Sequence, residues 1–160
     1  MVDRIHGNSH YLHQTPPSND FPNPTGNAGI DTFQNQIMQL DQSFGYLGDD
    51  IKKGNTADIP NQINNIKSSF AYLSSQLPSD HIGPLTADLE KQYGMDKVKK
   101  MVEYMYQGFV LWPGDPQSRN VCSLKDLVTQ ISQNASNPNA INDLLNNNYV
   151  AIEALEEEFQ

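Results

Sequence analysis

One cysteine, Cys122, stands in 160 residues, so no disulfide can form within the chain. Positive charge is scarce as well: ten lysines and arginines face nineteen aspartates and glutamates, for a net charge of −9. Phosphate backbones repel such a chain unless its cations cluster. The densest cluster, Lys97, Lys99 and Lys100, is short and lacks regularly spaced aromatics. It reads as a solvated helix face, and a nucleic-acid partner is not expected. Long hydrophobic runs are missing too. The longest, Phe109-Val110-Leu111-Trp112, falls far short of the roughly 20 residues a membrane span needs. The start, MVDRIHGNSHYLH, has no apolar signal-peptide core, so an exported chain would leave the bacterial cytoplasm without a cleaved signal. Apolar residues make up 37%, below the usual level of about 45–50%. That deficit predicts a thin core plus a disordered part, within a length that suits one domain.

Amides are plentiful: Asn and Gln supply 30 of the 160 residues, giving a surface rich in neutral hydrogen-bonding groups. A repeat stands among them. Residues 35–47 read NQIMQLDQSFGYL and residues 61–73 read NQINNIKSSFAYL, an offset of 26. Asn, Gln, Ile, Ser, Phe, Tyr and Leu are identical at matching places. In the first copy Phe33, Ile37, Leu40, Phe44, Leu47 and Ile51 are spaced four, three, four, three, four, and Ile59, Ile63, Ile66, Phe70, Leu73 and Leu77 repeat this. Such spacing is the apolar seam of a coiled-coil-like helix. The short connection Lys52–Asp58, with Gly54 to end a helix, joins only antiparallel neighbours. The expected fold is therefore all-α: a helical hairpin over 31–77, packed with helices at about 84–110, 123–133 and 138–159.

Residues 1–30, with Pro16, Pro17, Pro22 and Pro24 among small polar residues, are expected to form a disordered tail and a possible export signal. The first helix is expected to start at Asp31, and Gly45 within it suggests a close helix approach. The stretch 84–110 is interrupted at Gly94, with Asp96 as a cap for the restart, and carries the stripe Leu85, Leu89, Tyr93, Val98, Met101, Val102, Met105, Phe109. Residues 112–120 read as a loop. Ser123 with Asp126 resembles a capping box, and Pro138 opens the last helix. That helix carries Ile141, Leu145, Asn148, Ile152, Leu155 and Phe159 at seam spacing. An Asn in a seam specifies register or assembly. Glu156, Glu157 and Glu158 crowd an end where the helix dipole prefers cations. These features nominate Asn148, Ile152, Leu155, Glu156, Glu157, Glu158 and Phe159 as a partner-binding face, on an end that frays when free.

Chemistry has little to work with. His6, His10 and His13 share helical spacing, but no Cys or acidic partner completes a metal set beside them. Cys122 is the only nucleophile to weigh, with His81 the nearest base beyond the tail; a helix start lowers a thiol pKa, yet no Gly-rich oxyanion loop flanks it. Asp49 and Asp50 read as solvated helix-end residues. No P-loop, HExxH, EF-hand or CxxC pattern occurs. No catalytic residue, metal or cofactor is expected, and the chain reads as non-enzymatic.

The layout resembles substrates of bacterial type III secretion, especially needle-tip and filament subunits. The shared features are the polar N-terminus (residues 1–30), the long hairpin (Phe33–Leu77) and a seam-forming last helix (Ile141–Phe159). Glu156-Glu157-Glu158 also looks like the acidic C-terminal signal of type IV effectors. The chain departs from the type III family in being short and in ending acidic. The resemblance implies a virulence-associated protein that works by helix docking or self-assembly, with a secretion chaperone or its own copies as partners, secreted or delivered to a host. The alternative is a small translocated effector, an enzyme using Cys122.

Overall fold

The computed structural model describes residues 24–160, so the expected tail and its histidines lie almost wholly outside the described residues. The chain runs α1 (Ala28–Lys53), α2 (Ile59–Gln76), α3 (Thr86–Tyr93), α4 (Met95–Tyr106), β1 (Phe109–Leu111), β2 (Arg119–Val121), α5 (Leu124–Gln133), α6 (Pro138–Asn148) and α7 (Val150–Glu157). It is predominantly helical, and the hairpin α1–α2 is its spine.

The first helix begins three residues earlier than its spacing suggested. Asn27, not Asp31, is the cap: its Oδ1 accepts the Ile30 N–H at 3.0 Å. The Asp31 carboxylate instead accepts the Thr25 N–H at 2.9 Å, so a capping residue type was placed one turn too late. The α1 end follows its residues closely. Gly54 takes the left-handed conformation (φ 74°), and its N–H and that of Asn55 reach the carbonyls of Ile51 and Asp50. A single 3₁₀ turn, Thr56–Asp58, then leads to Pro60 in the first turn of α2.

The seam residues of both repeat copies, with Ile51 partly covered, join one core with Leu89, Val98, Met101, Met105, Leu127, Ile131 and Leu145. Phe44 (0% exposed) and Phe70 (7%) share it, as their place in the repeat implies. Met101 and Met105 are core. Nothing lies within 4 Å of where a Gly45 side chain would start, so close approach does not explain that glycine.

The third stretch is interrupted at Gly94 (φ 96°), as expected, giving α3 and α4, but Gly94 itself occupies the cap position and leaves Asp96 in the first turn of α4. Two other boundaries differ from the spacing. Phe109 is a strand residue rather than the end of a helical stripe. Glu103 O accepts the N–H groups of both Gln107 and Gly108, Gly108 adopts φ 78°, and the chain turns into β1. That strand pairs antiparallel with β2, Phe109 opposite Val121 and Leu111 opposite Arg119, and of these strands only Arg119 and Asn120 fall in the stretch read as loop. The last helix breaks at Tyr149. Its carbonyl accepts the Ile152 N–H three residues on, tightening the ladder between α6 and α7.

Candidate functional site

The C-terminal face is interior. Ile152 and Leu155 are fully buried, and Glu156 and Phe159 are 1% exposed. The Phe159 ring lies 5.9 Å from Phe33 and 5.1 Å from Tyr93, so this end is wedged between α1 and α3. Glu157 and Glu158 are half-buried. Burial raises the Glu158 pKa, while Lys97 and Lys100 of α4 pull it down. The Lys97 Nζ also donates to the Gln160 carbonyl at 2.9 Å. Part of the cationic complement expected from a basic partner is thus supplied within the chain.

Asn148 is no coiled-coil register residue. Its Oδ1 accepts the Cys122 N–H at 3.0 Å and its Nδ2 donates to the Leu144 carbonyl at 3.0 Å, tying the start of α5 to the end of α6. Spacing alone placed it in a seam. The break at Tyr149, whose hydroxyl donates to the Asp41 carboxylate on α1, removes that seam. Of the seven residues nominated as a partner-binding face, Ile152, Leu155, Glu156 and Phe159 are buried within the molecule, and Asn148, Glu157 and Glu158 are half-buried.

Burial, and then Asp126, push the Cys122 thiol up to about 11, so it stays protonated at neutral pH. The N-terminal position does not lower it because the half-buried setting outweighs the helix end. Among the described residues no three or more His, Cys, Asp or Glu gather as a metal site. At the hairpin tip Asp49 pairs with Lys53 at 2.9 Å. Burial and the neighbouring Asp58 carboxyl raise Asp50, whereas the Gln62 amide, then Asp50 and Asn61, lower Asp58. These acids are packed together, not singly solvated.

Two concavities among the described residues bear on a site. The first, about 370 Å³, lies between α2 and α5 and is lined by Lys67, Phe70, Ala71, Ser74, Val128, Thr129, Ser132 and Gln133. Its wall is apolar because the hydroxyls there are already bonded within the chain. Ser132 donates to the Val128 carbonyl (2.8 Å), Thr129 to that of Lys125 (2.9 Å), and Ser74 bonds the Tyr106 hydroxyl (3.0 Å). Phe70 and Val128 show slivers of surface at its floor, and Ala71 is exposed.

The second, about 550 Å³, runs along the outer side of α1 and α2. Gln36, Gln39, Gln42, Ser43 and Tyr46 form one wall, and Gln62, Asn65, Ser68, Ser69 and Tyr72 the other. These are five pairs of repeat equivalents, each separated by the offset of 26. No charged residue lines it. The signal was in the repeat: beside the identical Ile, Phe and Leu that face the core stand identical Gln, Ser and Tyr, which core packing does not require.

Compared with protein families, with curated proteins and with solved structures, the chain matches none of them. Among the described residues no helix is long and apolar enough to cross a membrane.

Proposed function

We propose that this chain is a non-enzymatic interaction protein of a bacterial secretion or virulence system that docks a helix of a protein partner between α2 and α5. The observation that carries this reading is the apolar cleft lined by Phe70, Ala71 and Val128, with its neighbouring hydroxyls already bonded within the chain. A groove of this kind takes the apolar face of an amphipathic helix, anchored at one-turn intervals. The helical hairpin is among the features that carry the secretion-substrate resemblance, and because the C-terminal helix is largely buried this reading puts the docking surface on α2 and α5.

Ala71 provides the test, because it is exposed and lies outside the core. A photo-crosslinking residue at position 71, in the bacterium that carries the protein, is expected to trap one component or chaperone of an export system. Ala71→Glu places a carboxylate in the cleft and should abolish that capture while leaving the circular dichroism spectrum unchanged. Capture unaffected by Ala71→Glu, or limited to proteins unconnected with export, would refute the reading.

A further inference from the structure

We propose that the outer groove of the hairpin is a binding site for a neutral oligosaccharide. This site is separate from the α2–α5 cleft and does not depend on it. Its lining argues by elimination and then by fit. A chain of net charge −9 leaves all ten lining residues uncharged, so neither phosphate, carboxylate nor ammonium finds a counter-charge there. The floor is set by Ser43 and Ser69, 7% and 4% exposed, too polar for a lipid or an apolar helix face. What the walls offer is amides. No other described residue engages the side chains of Gln36, Gln39, Gln42 or Asn65. Each carries a donor and an acceptor side by side, the pattern that adjacent sugar hydroxyls match. Gln62 spends its Nε2 on Asp58 at 3.0 Å, and its shielded Oε1 has no donor among the described residues.

Two tyrosines complete the site. Because α1 and α2 are antiparallel, repeat equivalents stand toward opposite ends, so Tyr46 and Tyr72 bracket the groove. Tyr46 is 39% exposed, unusually open for a large aromatic side chain among the described residues. Aromatic faces carry negative potential that attracts the C–H groups on the flat side of a pyranose. Between Gln36 and Tyr46 a helix rises about 15 Å, which suits several linked sugars rather than one. A volume of 550 Å³ is within the usual range for small-molecule sites. A second copy of the chain is a poorer occupant, since two concave faces brought together leave a void.

The test uses the full chain, labelled with ¹⁵N, and soluble oligomers of α-1,4-glucan, β-1,4-glucan and β-1,4-linked N-acetylglucosamine. Side-chain amide signals of Gln36, Gln39, Gln42 and Asn65 are expected to shift saturably with at least one of these, and not with an oligogalacturonate of like length. Tyr46→Ala should weaken that binding by about tenfold. Gln39→Lys, at an exposed position that folding does not need, should weaken it as well. Three results would overturn the proposal: no saturable shift with any neutral oligomer at millimolar concentration, equal binding by both variants and the parent, or groove shifts that follow protein concentration alone and so report self-association.

Discussion

Replacing Asn148 by Leu should destabilise the chain, although Asn148 sits at seam spacing and an apolar residue there would strengthen a coiled coil. The Cys122 N–H lies between buried Val121 and buried Ser123 and gives its hydrogen bond to Asn148 Oδ1 at 3.0 Å. Leucine leaves that donor unsatisfied, a loss of about 1–3 kcal/mol. The Nδ2 bond to the Leu144 carbonyl also goes, at about 0.5–1.5 kcal/mol. Against these, a side chain at a half-buried position recovers only part of the roughly 1.5–3 kcal/mol available to a fully buried one. The net loss is about 1–2 kcal/mol, which for a chain of this size lowers the melting temperature by about 2–8 °C. Calorimetry with urea titration measures the stability, and amide hydrogen exchange reads the Cys122 N–H directly, which should lose protection in the variant. A leucine variant with a higher melting temperature and an unchanged Cys122 amide would refute the reasoning and restore the seam.

Gly108→Ala should cost at least about 2 kcal/mol, because φ is 78° and the added carbon would meet the Val121 carbonyl oxygen at 2.5 Å; urea unfolding checks this, and a neutral substitution would mean that the turn from α4 into β1 can shift away from Val121. Phe44→Ala should lose about 3–5 kcal/mol, and Phe70→Ala measurably less, because Phe70 borders the open α2–α5 cleft while Phe44 is enclosed. Equal losses would show that the cleft closes over Phe70. Stability should also fall above about pH 10. Burial raises the pKa values of Tyr93, Tyr104, Tyr106 and Tyr149, Tyr104 to about 12, so the folded chain holds these phenolic protons more tightly than the unfolded one. Their contribution is whole below the unfolded value and is lost as pH rises through the folded one; urea midpoints measured across that range should decline, and less so in Tyr149→Phe.

The hairpin was legible because its apolar residues recur at one period over both copies, and burial of Phe33, Ile37, Leu40 and their equivalents is what period encodes. Phe109 was misplaced for the same reason. It falls in step with Met105, yet periodicity is silent about a backbone that reverses at Gly108. Asn148 and the glutamates were read from one helix in isolation. Their partners, the Cys122 amide and the lysines of α4, come from distant parts of the chain that no local pattern connects. The outer groove was half legible: the repeat printed its residues, but only the antiparallel arrangement shows that they share a face.

The tie between Tyr149 and Asp41 spans 108 positions of sequence. On a ribosome the hairpin emerges early with one apolar face uncovered, and the segments that cover part of it, α6 and α7 against α1, begin only at Pro138, well after the hairpin ends at Gln76. Contacts so distant in sequence close slowly, since a long loop must be ordered before they form. The nascent hairpin therefore has an interval in which a holding chaperone can compete with the chain's own last helices for the same apolar seam.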